Sequence, residues 1–243
     1  MVSLVALGVL ALRHLLLLAR ATELLHNRGQ RVALLLVPVA CLALILWVLE
    51  RWADPAVRDN QIYVWLFLQC GGLWIGGGAL GMCALGVSAA DDAVQAWNPA
   101  ATVAVCGGML GAALCFAGAN VGVGPTIWTT LGPATMAIAL WLAVAVAADQ
   151  VLRSAAPVVM DRDLGAGWRL AAFLVAEGLI FGGAAAGDWV SLQETELAFA
   201  RALPAALAVA AAVVGLRRAA AWIGAVVALG GAAAWTAVTF SLH

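Results

Sequence analysis

Asn98-Pro99-Ala100-Ala101-Thr102-Val103-Ala104-Val105-Cys106-Gly107-Gly108-Met109-Leu110-Gly111-Ala112-Ala113-Leu114-Cys115-Phe116-Ala117-Gly118-Ala119-Asn120 decides the fold. Between the two asparagines no side chain is charged, and a run of about 20 such residues is what a helix needs to cross a hydrocarbon core about 30 Å thick. Asn98-Pro99 reads as an N-cap followed by a proline at the first helical position. The stretch is therefore expected to be a transmembrane helix.

Working outward, other apolar runs are cut wherever charges, prolines and Gly-Asn turns cluster. They predict spans near 2–20, 32–49, 61–88, 99–119, 126–148, 164–187, 199–216 and 219–240. The expected fold is an all-α, polytopic transmembrane bundle of about eight helices, or seven if the first, which carries Arg13 and His14, lies on the surface. It divides into an N-terminal helix pair at 1–60 and a core at 61–243. The first run lacks the basic region and cleavage site of a secretory leader and is expected to be retained. No connection exceeds about fifteen residues, too short for an extramembrane domain to fold.

Composition agrees. Of 243 residues, 65% are hydrophobic and 10% charged, against about half and a quarter in soluble domains. Net charge is -1, which offers no basic field for nucleic acid. All twelve basic residues are arginine, as a GC-rich bacterial genome produces, and a bacterial inner membrane is the expected location. Arginines 20, 28, 31, 153, 162, 217 and 218 fall in one set of connections and only 51, 58 and 201 in the other. Retained loops collect basic residues, so both termini are expected outside the cytoplasm.

Glycines at spacing four mark helix faces where backbones approach closely in lipid: Gly72 with Gly76, Gly107 with Gly111, and Gly178 with Gly182. Such packing also suits a homo-oligomer or docking to other membrane subunits. Residues 98–120 align with 163–185 at an offset of 65, matching Ala101 with Ala166, Leu114 with Leu179, Phe116 with Phe181, Gly118 with Gly183 and Ala119 with Ala184. Parallel helix-pair repeats at 91–153 and 156–218 are the corresponding expectation.

Ionisable groups in hydrocarbon cost about 2.5–3.5 kcal/mol on insertion scales and call for a partner, a cavity or a role. Glu177, mid-span with no cation within four residues, is the sharpest case. Arg169 lies about 12 Å back along the helix, too far to pair. Glu177 reads either as a proton or cation site or as a hydrogen-bonded packing residue. Asp91, Asp92 and Asn98 read as a well-made loop and helix start, or as carboxylates at a pore mouth. The stretch from Ala117 to Thr130, with Asn120, three glycines and Pro125, reads as a re-entrant turn or a tight hairpin. Asp188-Trp189 suits an interfacial anchor.

Several chemistries are excluded. The five cysteines have no CxxC spacing and read as buried hydrophobes. No HExxH or paired in-span histidines support a metal or haem, no histidine accompanies the Gly-Val-Ser at 86–88, and neither enzyme activity nor a cofactor is expected.

Ser88-Ala89-Ala90-Asp91-Asp92, Asn98-Pro99-Ala100-Ala101, Gly107-Gly108-Met109-Leu110-Gly111, Asp163-Leu164-Gly165-Ala166-Gly167 and Leu170-Ala171 together resemble the bacterial membrane family of domain of unknown function 350, over roughly residues 65–190. The chain departs from that pattern at Pro99 and Leu164, where a β-branched residue is expected, and at Asp163 in place of a second Asn. The resemblance implies paired four-helix repeats, no known catalytic residues and a role in membrane integrity. Two functions follow from the sequence: a channel or transporter component for a small ion or solute, with Glu177, Asn120, Asp91, Asp92 and Asn98 along the path, or a structural subunit of a larger membrane assembly.

Overall fold

The computed structural model describes residues 28–215 together with Gly230 and Ala233. The expected spans at 2–20 and 219–240, and both termini, lie outside the described residues. Within them the chain is helical: α1 (Arg28–Trp52), α2 (Pro55–Arg58), α3 (Gln61–Gly81), a 3-10 turn (Met82–Leu85), a π-helical turn (Ala89–Gln95), α4 (Pro99–Ala119), α5 (Trp128–Leu152), α6 (Ala155–Val159), α7 (Leu164–Ala185) and α8 (Leu192–Gly215). Six of these, α1, α3, α4, α5, α7 and α8, are long and apolar enough to cross a membrane. At 1.5 Å per residue the 21 residues of α4 rise about 31 Å, the thickness of a hydrocarbon core. Exposed Trp52, Trp65, Trp128 and Trp189 ring one end of the bundle and Trp97 and Trp168 the other, as aromatic belts do at the two interfaces. The protein is thus a multi-pass helical membrane protein.

Two boundaries differ most from those expected. The third span stops at Gly81 rather than 88, passing into the 3-10 turn and ending on Gly86 in the left-handed region at φ 74°. Asp91 and Asp92 therefore sit in a separate turn rather than closing that span. The last described helix starts at Leu192, not 199, because the Ser191 hydroxyl accepts from Glu194 N at 3.2 Å and opens it early. Pro204 lies inside that helix, as neighbouring helices permit in membranes.

The bundle is organised around α4 and α7, buried over 78% and 67% of their spans against 28% for α1 and for α8. They run parallel. A Cβ added at Gly167 would meet the Ala100 backbone, one at Gly107 would meet Ala171, one at Gly178 would meet Gly111 and one at Gly182 would meet Leu114. Contacts therefore advance along both helices together. Helix α1 joins the same parallel layer: Gln30 Nε2 donates to Thr102 Oγ1 (3.4 Å) at one end, and Gly122 N donates to Trp52 O (3.1 Å) at the other. The antiparallel helices are fastened by indole N–H groups. Trp74 of α3 donates to Ala134 O of α5 (3.2 Å), and Trp141 of α5 to Leu174 O of α7 (2.8 Å).

Residues 65 apart occupy equivalent places around α4 and α7. Trp97 and Arg162 both have φ 53°, and Gly122 and Gly187 have φ 110° and 118°. Asn98 N donates to Asp92 O and Asp163 N to Pro157 O, both at 3.1 Å. Asn98 and Asp163 then cap their helices, accepting from Ala100 N (3.0 Å) and Gly165 N (2.8 Å). Each helix is entered and left by the same backbone route. Below, the two ends of the bundle are called the Asn98 end and the Asp188 end.

Candidate functional site

Around α7 the chain builds one site from almost nothing polar. Glu177, thirteen residues into the helix, is 0% exposed, and neither carboxyl oxygen has a hydrogen-bond partner among the described residues. Its neighbours one turn either way are Phe173 and Phe181, both buried. Phe181 faces Phe199 of α8 with ring centroids 6.5 Å apart. From α4, the Cys115 thiol points at Gly178 O at 3.9 Å. Arg169, the one arginine on α7, pairs with Asp163 at 3.5 Å and not with Glu177. The carboxyl is thus held between helices with no cation to balance it among the described residues, the arrangement that in membranes accompanies ion and proton pathways.

The other candidates spend their polar atoms close to home. Asp92 accepts from Ser88 N (2.6 Å) and Asp91 from Ser88 Oγ (2.7 Å), while Ser88 Oγ accepts from Asp91 N (3.0 Å). This is a reciprocal cap of the Ala89–Gln95 turn. Asn98, buried at 1% exposure, caps α4 and donates from Nδ2 to Val158 O at 2.7 Å, tying the start of α4 to α6. Asn98→Ala removes a cap worth about 1 kcal/mol and strands a buried carbonyl at a further cost of about 1–3 kcal/mol. A fall of that summed size in unfolding free energy is expected in detergent denaturation, with Asn98→Asp, which keeps the cap, losing only part of it. Asn120 donates to Phe116 O at 2.7 Å and borders a cleft of about 380 Å³ shared with Asp54, Tyr63, Thr126 and Thr130.

These residues are not brought together. Asn98 and Asn120 bracket a helix about 31 Å long, and Glu177 lies about 20 Å along α7 from its start. The glycines divide similarly. Gly107, Gly111, Gly178 and Gly182 all lie in the α4–α7 seam, whereas Gly72 has only Leu42 Cδ2 at 4.0 Å and Gly76 is buried within α3.

Sequence reasoning passed over several residues that shape the site. Gly118 and Gly167 complete the seam, and Gly78 and Gly108 let α3 approach α4. Trp141 is buried in mid-span; a tryptophan far from either interface was the available signal, since its N–H then needs an internal acceptor. At the Asp188 end, Asp188 Oδ1 accepts from Val123 N (2.8 Å) and Asp54 Oδ2 from Gly124 N (3.1 Å). The stretch after Asn120 is thus pinned by carboxylates from the links that follow α7 and α1, as a tight link between spans. Among the described residues no three His, Cys, Asp or Glu side chains converge as metal ligands. No family model, curated protein or solved structure matches the chain.

Proposed function

We propose that the protein is a component of a membrane channel or transporter for a small ion, with Glu177 as the intramembrane group on the path. One observation carries this reading: Glu177 is the carboxylate that is fully buried and bonded to nothing among the described residues. Asp91, Asp92, Asn98 and Asn120 serve as caps and ties rather than as a ring at a pore mouth. The arginine bias of the sequence supports a bacterial inner membrane with both termini on the non-cytoplasmic side. The likeness to the family of domain of unknown function 350 is proposed on the same footing and adds no catalytic residue. A homo-oligomer or further membrane subunits would complete the assembly.

Reconstituted into proteoliposomes, the wild-type chain is expected to pass protons or a small cation under an imposed gradient, and Glu177→Gln to fall to the level of empty liposomes. Equal flux from the two proteins would sink the reading. The second reading, a structural subunit, is favoured by those local caps, which leave four of the five polar candidates with structural work. It predicts co-purification of a stable partner after gentle solubilisation and no flux from the chain alone.

A further inference from the structure

A cleft of about 510 Å³ opens at the Asn98 end between α5, α6 and α7, with Val151, Arg153, Met160, Asp161, Arg169 and Phe173 in its walls. Its mouth is open, Met160 and Val151 being 80% and 81% exposed, while Phe173 at its inner limit is 4% exposed. Ala166 and Leu170 border the same cleft, and Ala166, Leu170, Phe173 and Glu177 follow at spacings of four, three and four. These four residues form one stripe of α7. The stripe leads from the cleft to the buried carboxyl, and four residues, about 6 Å of helix, separate Phe173 from Glu177.

Along the same face of α7, access from the other end is longer and is also closed by a ring. A second cleft, of about 470 Å³, opens at the Asp188 end and reaches inward to Ala184 and Ala185. These stand seven and eight residues from Glu177, about 11–12 Å along the helix. Phe181, packed on Phe199, lies between them and the carboxyl.

We propose that Glu177 exchanges protons with the Asn98 end of the bundle through the α5–α6–α7 cleft, and that the Phe173 ring is the barrier on this route. The inference rests on Glu177 being the path group of the transport reading, and adds the ion and the side of entry. The ion is a proton because among the described residues no three His, Cys, Asp or Glu side chains converge to hold a metal ion, and Glu177 stands with no further polar partner. A metal cation needs several oxygen ligands at once, while a single carboxyl oxygen takes up a proton alone. The step is a proton transfer from hydronium in the cleft water to a Glu177 carboxylate oxygen, leaving water, and its reverse by the same route. Among the described residues Cys115 on α4 is the titratable group beside Glu177; at the cleft stand Asp161 and Arg153, Arg169 paired with Asp163, and Asp149, which accepts from Ser154 Oγ and Ala155 N.

The test is side-specific labelling of Glu177→Cys in a full-length chain whose five native cysteines are alanine. A small, charged, membrane-impermeant methanethiosulfonate is applied to vesicles of each orientation. Labelling is expected from the Asn98 side. Adding Phe173→Ala is expected to speed it about tenfold, the effect of lowering an opening barrier by about 1.4 kcal/mol, and Phe173→Trp to slow it. Labelling only from the Asp188 side, or a rate indifferent to residue 173, overturns the proposal. If the cysteine-free chain does not fold, infrared spectroscopy of the otherwise native protein follows deuterium exchange of the carboxyl band that Glu177→Gln removes. Exchange faster in Phe173→Ala supports the route, and exchange unchanged by it overturns the route. Both readouts are independent of net flux. Labelling with the expected side and Phe173 dependence but no flux would sink the transport reading alone, and flux without that dependence would sink the route alone.

Discussion

Gly178→Leu is expected to leave no folded protein in detergent, and Gly178→Ala to lower stability by about 1–3 kcal/mol, the cost of forcing extra carbon into a close-packed contact. The reason is geometric. A Cβ at Gly178 would stand 2.5 Å from Gly111 O and 2.6 Å from Gly111 Cα, and these are backbone atoms of α4 that no rotamer change can move aside. Gly111→Ala is expected to behave alike, its Cβ meeting Leu174 O at 2.5 Å and Trp141 Nε1 at 2.9 Å, which also disturbs the Trp141–Leu174 hydrogen bond. Gly77→Ala and Gly72→Ala are the controls. A Cβ meets only Ile138 Cδ1 at 3.9 Å at Gly77 and only Leu42 Cδ2 at 4.0 Å at Gly72, while alanine is the better helix former by about 1 kcal/mol. Both controls should unfold at or above the wild-type midpoint. Thermal and denaturant unfolding of the four alanine variants decides the matter: if Gly178→Ala were as stable as Gly77→Ala, the close α4–α7 approach would be wrong.

Glu177→Leu is expected to abolish proton flux while making the protein more stable, by about 1–3 kcal/mol. That is the usual cost of burying a polar group without a hydrogen bond. Leucine resembles glutamate in volume and suits a surrounding of Phe173, Leu174, Ile180 and Phe181, all buried. A packing residue behaves in the opposite way, since removing a group that holds helices together lowers stability. Midpoints of unfolding for wild type, Glu177→Gln and Glu177→Leu separate the two cases. Leucine stabilising and glutamine inactive point to a carboxyl kept for function; leucine destabilising assigns Glu177 to the architecture and removes the main support of the transport reading.

The sequence carried the number and place of the described spans because lipid imposes a simple rule: an uncharged run near twenty residues must be a helix that satisfies its own backbone. The six predicted spans between 32 and 216 all fall on helices, and the N-cap at Asn98 was readable because capping is a local contact of two or three residues; Asp163 caps α7 in the same way without having been read as a cap. Where the expectations missed, the deciding contact was small or distant. Ser191 extends α8 by a single hydroxyl, and Gly86 turns the chain by one left-handed residue. Glycine spacing alone does not separate Gly178 from Gly72, since both pairs look alike in one dimension.

By itself, then, the amino-acid sequence determined the solvent of this protein, the helices that cross it and the one carboxyl that sits uneasily among them, since all three follow from transfer free energies of residues in order. Only the tertiary structure decided which helices form the core, that Asp91, Asp92, Asn98 and Asn120 are occupied locally, and that a cleft comes within one helical turn of Glu177. The core depends on faces that meet across gaps of 60 residues or more, the cleft on how α5, α6 and α7 pack, and the polar bonds on which of several nearby partners each side chain takes. In lipid, close packing and hydrogen bonds rather than hydrophobicity choose the partner, and no local pattern records that choice.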